Sequence, residues 1–146
     1  MATSSEHVTA ILGGSRVLGS RTKSADDWMR MIETGLPAAA AEALKEVVGL
    51  DDPSMATTLG ISIRTLARAR ASQSRFDSVV SDRLYRLARL VAIAREVLEH
   101  DDRAVQWLTQ PQPGLGNRRP IDIAKSDPGA REVENLLLRI EHGVYS

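Results

Sequence analysis

Asp52-Pro53-Ser54-Met55-Ala56-Thr57-Thr58-Leu59-Gly60-Ile61-Ser62-Ile63-Arg64-Thr65-Leu66-Ala67-Arg68 reads as two short helices joined at a glycine turn. Asp52 is placed as the N-cap and Pro53 as the first helical residue. A carboxylate accepts from the orphan amides of a first turn, and proline has no amide to lose there. Gly60 supplies the tight turn, and Ser62 caps a second helix running from Ile63 to about Ser72. The spacing is that of a helix-turn-helix. On the second helix Ile63, Leu66 and Ala67 fall at i, i+3 and i+4 and are expected to face inward, which leaves Arg64, Thr65 and Arg68 outward. A recognition helix is built this way: an apolar stripe docks it, and long bidentate donors reach guanine edges or phosphates. The same pair of helices also occurs in proteins that never touch DNA.

Upstream, residues 1–22 are rich in Ser, Thr and Gly, with apolar patches only at Ile11-Leu12 and Val17-Leu18, and read as a flexible arm. Ser24 or Asp26 can cap a short helix carrying Trp28, Met31 and Ile32, which Gly35 stops. Pro37 then takes a first helical position ahead of an alanine run, with Leu44, Val47 and Val48 on one face and Gly49 as the stop. Downstream, a long helix is expected from Ser78 or Ser81 to about His100. Its Val80, Leu84, Leu87, Val91, Ala94 and Leu98 step by fours and threes, a seam that suits either a core or a dimer. Asp101 or Asp102 begins another helix through Val105, Trp107 and Leu108, with Trp107 as a core anchor. Thr109–Asn117 has a Pro and Gly content that forbids regular structure. One helical turn follows at Pro120-Ile121-Asp122-Ile123-Ala124. Asp127-Pro128-Gly129 opens a final amphipathic helix that runs almost straight into the end of the sequence, with Val133, Leu136, Leu137 and Ile140 as its core stripe. No segment alternates securely as a strand does, so the fold class is all-α. The expected units are an arm (1–22), a helix-turn-helix domain (23–80) and a small helical C-terminal domain that includes the long helix (81–146).

With 146 residues, 42% of them hydrophobic, the chain can form one compact domain or two small ones sharing a core. It has neither an apolar run of membrane-spanning length nor a signal-peptide layout, so a cytoplasmic location is expected. There are no cysteines, and His7, His100 and His142 lie far apart, so no metal site or cofactor is expected. An enzyme is disfavoured for want of a nucleophile, a paired-carboxylate constellation or a phosphate-cradling glycine loop. The formal net charge of zero conceals a segregation. Between residues 64 and 95, Arg64, Arg68, Arg70, Arg75, Arg83, Arg86, Arg89 and Arg95 stand against only Asp77 and Asp82, inside an otherwise acidic chain. Local cations, not the molecular sum, govern contact with phosphate, so Ser62, Arg64, Thr65, Arg68, Arg70 and Arg75 form the candidate DNA-binding set. The same arginines would equally suit the solvated faces of helices.

Gln106-Trp107-Leu108, Pro111, Leu115-Gly116-Asn117-Arg118-Arg119-Pro120-Ile121-Asp122, Gly129, Glu132-Val133, Leu137 and Arg139-Ile140-Glu141-His142-Gly143-Val144-Tyr145-Ser146 together resemble the toxin-binding domain of the Xre/MbcA/ParS antitoxin family. The match covers about the last 60 residues. The helix-turn-helix ahead of the basic long helix resembles the Xre-like DNA-binding half of the same antitoxins. The resemblance implies a bacterial type II antitoxin. Its implied partner is a RES-domain toxin that consumes NAD, or a related toxin that transfers ADP-ribose. The C-terminal domain would block the dinucleotide's access to the toxin, and the complex would sit on its own operator DNA; a homodimer is expected because helix-turn-helix proteins usually meet paired half-sites. Arg139, Glu141, His142, Gly143, Val144, Tyr145 and Ser146 are the implied toxin contacts. Tyr145 and the terminal carboxylate, supported by Glu141, have the chemistry to enter a cationic dinucleotide pocket. Tyr145 could equally pack back on its own helix. A reading from a different class is a stand-alone transcription factor whose C-terminal domain senses a small ligand.

Overall fold

The computed structural model describes residues 5–143, and it begins with two short helices, α1 (Ser5–Ile11) and α2 (Gly14–Leu18). The flexible arm expected over residues 1–22 is thereby corrected for residues 5–22, while residues 1–4 lie outside the described residues. Val8, Ile11, Leu12 and Leu18 are at most 2% exposed, and the Thr9 and Thr22 hydroxyls share a buried 2.6 Å hydrogen bond that ties the segment together. Positions 8, 11 and 12 form an i, i+3, i+4 apolar face, which the polar composition around it disguises.

α3 (Ala25–Thr34) starts in a capping box: Ser24 Oγ accepts from the Asp27 amide, and the Asp27 carboxylate accepts from the Ser24 amide. α4 (Ala38–Val48) begins one residue after Pro37, which stands at the N-cap and not in the first turn. The loops at 36–38 and 74–76 pair in antiparallel fashion: Phe76 N–H donates to the Leu36 carbonyl and Ala38 N–H to that of Ser74, each at 2.9 Å. Ser81 is fully buried because it joins this pairing, its Oγ accepting from Leu36 N–H at 2.7 Å and donating to the Phe76 carbonyl.

α5 (Asp52–Leu59) and α6 (Ile63–Ser72) are the expected helix pair, with one shift. Asp51, not Asp52, is the N-cap and accepts from Ser54 N–H at 2.9 Å. Gly60 turns the chain at φ 73°, and Ser62 caps α6 through the Thr65 amide at 3.0 Å. α7 (Ser78–Leu98) is the central strut. Val80, Leu84, Leu87, Val91 and Ala94 are buried, as are Ala88, Leu90, Ala92 and Ile93. α7 packs against α1, α3 and α5 and against two later helices, α8 (Asp101–Thr109) and α10 (Asp127–Glu141). Its seam is therefore filled by this chain's own helices. The division expected between residues 80 and 81 falls inside α7, so both halves share one continuous helix.

Thr109–Asn117 was expected to lack regular structure, and this too is corrected. Pro113–Leu115 forms a 3-10 turn, and Gln112 bridges Arg118. Proline and glycine here begin and end one tight turn, and its Leu115 is 2% exposed and anchors it in the core. α9 (Pro120–Ile123) is the expected single turn. Ser126 caps α10, which buries Val133, Leu136 and Leu137 and partly covers Ile140. Trp107 is half-buried against the same core. Among the described residues there is no strand, only two isolated bridges, and the fold is all-α.

Candidate functional site

The stripe by which α6 docks is rotated from the one expected. Leu66 and Ala69 are buried, whereas Ile63 is 50% exposed and Ala67 is also exposed. Ile61, the residue before the cap, packs on the core instead of Ile63. Ile61 and Leu66 occupy the two positions of a hydrophobic staple, so the helix meets the core one turn later than its first apolar residue. The outward face consists of Ile63, Arg64, Thr65, Ala67 and Arg68.

The arginine block is largely spent inside the molecule. Arg83 donates to the Leu59 carbonyl at the end of α5, at 3.0 Å. Arg86 pairs with Asp82, and Arg95 with Asp101. Arg89 grips Glu134 of α10 through both terminal nitrogens, at 2.9 and 3.0 Å. Arg75, expected at the DNA, donates to the Gly35 carbonyl at 2.6 Å. Arg70, also expected there, binds Asp52 at 2.8 Å and Glu42 at 3.1 Å. Its Nε lies 2.7 Å from Glu42 without the alignment of a hydrogen bond, so that contact is Coulombic. Lys45 completes the group, 2.7 Å from Asp52. Hydrogen bonds from Arg70 and then Lys45 hold the Asp52 carboxyl down at about 2, against an ordinary 3.8.

This cluster ties α4, α5 and α6 together, and sequence reasoning missed it. Its members lie on three helices at no recurring spacing, so no local pattern announces it. Of the eight arginines, Arg64 and Arg68 alone have a guanidinium group with no partner among the described residues. Ser62 uses its hydroxyl on Thr65, accepting from the amide and donating to Oγ1 at 2.9 Å.

The second candidate surface is the far end of α10. Arg139, Glu141, His142 and Gly143 are exposed there, and Gly143 turns the chain at φ 75°. Val144, Tyr145 and Ser146 lie outside the described residues. The helix is held on α7 by its buried leucines and the Arg89–Glu134 pair, so its end is presented from a fixed support. An open cleft of about 390 Å³ between α7 and α10 is lined by Arg86, Arg89, Asp127, Arg131 and Glu134, all of them ion-paired. Among the described residues no three His, Asp or Glu side chains gather as metal ligands, and no helix is long and apolar enough to cross a membrane.

Residues 27–89 match the family profile described as the antitoxin Xre-like helix-turn-helix domain, and residues 94–143 match that of the antitoxin Xre/MbcA/ParS C-terminal toxin-binding domain. A protein of Photorhabdus laumondii named Antitoxin Xre is 29% identical over 90% of this chain and 89% of its own length. Another of that name, from Yersinia enterocolitica, is 38% identical over 60% of each chain. A chain in the crystal structure of the M. tuberculosis MbcT-MbcA toxin-antitoxin complex superposes with a TM-score of 0.56 at 28% identity, over 75% of this chain and 96% of that one.

Proposed function

The chain belongs to the Xre/MbcA/ParS family of antitoxins, and from that premise we propose that it neutralises a RES-domain, NAD-degrading toxin and represses its own operon. In this reading the end of α10 and the residues after it, Arg139 to Ser146, cover the toxin's dinucleotide site. α6 enters the major groove of operator DNA as part of a homodimer. The observation that carries the DNA half is that, among the described residues, only Arg64 and Arg68 of eight clustered arginines have guanidinium groups without a partner, and both stand on the outward face of the second helix of the pair. The toxin half is supported by the exposed, rigidly backed end of α10 within the segment that matches a toxin-binding domain. This chain would act in the cytoplasm as an inhibitor and repressor, and the catalysis would belong to the toxin.

The test is co-expression with the product of the adjacent gene while growth and cellular NAD are followed, using the full chain and a chain stopped after Glu141. Full protection by the first, with co-purification but no protection by the second, is the expected result. Equal protection by both would move neutralisation away from the tail. Failure of the full chain to bind or protect would overturn the toxin reading.

A further inference from the structure

We propose that Ile63 is a base-reading residue, its side chain resting on the C5-methyl group of a thymine in the major groove beside the base pair that Arg64 contacts. The proposal rests on the operator-binding reading above. Met29, Ile63 and Val79 are the large apolar side chains that stand exposed among the described residues, and of these only Ile63 lies on the helix with unspent cations. Among the described residues it takes no place in the core or in the layer packed against it. Leu66 fills the core beneath α6 and Ile61 takes the staple position, so the Ile63 side chain, 50% exposed at the first residue of the helix, is left to solvent.

Helix geometry sets Ile63 and Ala67 one turn apart, in a row alongside Arg64 and Arg68. One row is cationic and the other apolar, and the apolar row shrinks to exposed alanines at Ala67 and Ala71. Those small side chains let the helix lie close to a groove floor. Ile63 stands at the N-terminal end, the end that contacts base edges in this mode of docking. Two uncompensated guanidinium groups beside the patch select a polyanion as its occupant. Within the major groove the apolar feature is the thymine methyl, and phosphates offer this side chain nothing.

The experiment begins by selecting a preferred duplex from randomised DNA with the full chain. Each thymine of that duplex is then replaced singly by deoxyuridine, which removes the methyl and nothing else. Binding is measured for the wild-type chain, Ile63→Ala and Ile63→Val, with far-UV circular dichroism confirming that the exposed substitutions leave the helices intact. One deoxyuridine should weaken the wild-type chain about three- to fivefold, the factor expected for one buried methyl-sized group. Ile63→Ala should lose its sensitivity at that position alone, and Ile63→Val should retain most of it. Wild-type indifference to every deoxyuridine, undiminished sensitivity in Ile63→Ala, or a selected site with no fixed thymine would overturn the proposal while leaving operator binding intact. If the full chain prefers no duplex over random DNA, the operator reading itself falls, and this proposal with it.

Discussion

Asp52 and Arg70 set the orientation of α6 without standing on its outward face. The Asp52 carboxyl titrates at about 2 in the folded chain against an ordinary 3.8, because Arg70 and Lys45 bind its ionised form. A depressed carboxylate stabilises the fold fully above the ordinary value, and that contribution disappears as the pH falls from 3.8 towards 2. Asp52→Asn should therefore unfold at lower urea than the wild-type chain at pH 7, and the gap should close as the pH approaches 2. A gap that stayed constant with pH would show that shape, not charge, is what Asp52 contributes. Arg64→Ala and Arg68→Ala should each weaken operator binding by about 1–3 kcal/mol if the side chain reads a base edge; a phosphate contact would instead flatten the salt dependence by about one unit of slope. Gel-shift titrations across ionic strength separate the two, and unchanged affinity for both variants would remove α6 from the groove. Arg64 and Arg68 were legible in the sequence because no described residue pairs with their guanidinium groups, so local helix geometry placed them outward unaided. Arg70 and Arg75 were not, since Glu42, Asp52 and the Gly35 carbonyl reach them from distant segments.

Among the elements, local chemistry announced most helix ends, and tertiary contact decided the rest. Ser24, Gly35, Gly49 and Ser62 punctuate helices where capping rules put them. Asp51 and Asp52 are adjacent residues of the same type, and only the fold shows which one caps α5 and which faces Arg70. α1 and α2 were illegible because a five-residue helix and a seven-residue helix have little intrinsic stability and exist by packing. Leu12→Ala, at a site with no exposure, should consequently cost about 2–5 kcal/mol in chemical denaturation, the range for truncating a buried leucine. A mobile arm would make it nearly silent. The opposite end holds a matching constraint at Gly129, in the first turn of α10. A Cβ there would run into the Ile123 backbone carbonyl, because α9 and α10 meet without room for a side chain. Gly129→Ala should destabilise the chain by about 1–3 kcal/mol through forced backbone movement, measured by urea unfolding. Toxin inhibition should fall with it if the proposed contacts depend on where α10 points.

At the scale of the molecule, the matched helix-turn-helix and toxin-binding segments are not two beads on a linker. They end and begin at residues 89 and 94, both within α7, whose faces are covered by α3 and α5 of the first segment, by α1 ahead of it, and by α8 and α10 of the second. Loss of either set would expose the apolar side chains of a helix buried on nearly every side, so neither half should persist without its neighbour. Two tryptophans make this measurable. Trp28 is 4% exposed and lies 4.9 Å, ring centre to ring centre, from Tyr85 of α7. Trp107 sits half-buried on α8. The variants Trp107→Phe and Trp28→Phe leave one fluorescent reporter each, on the helix-turn-helix and the C-terminal half respectively. Within either single-tryptophan variant, the urea midpoint from fluorescence should coincide with that from far-UV circular dichroism, which follows all the helices together. A fluorescence transition separated from the helical one would mean that its half melts alone and that α7 does not couple the two. Coincidence in both would make α7 the element through which the proposed toxin contact at α10 and the proposed groove contact at α6 draw on one shared stability, so that a partner bound to either face would resist unfolding of the other.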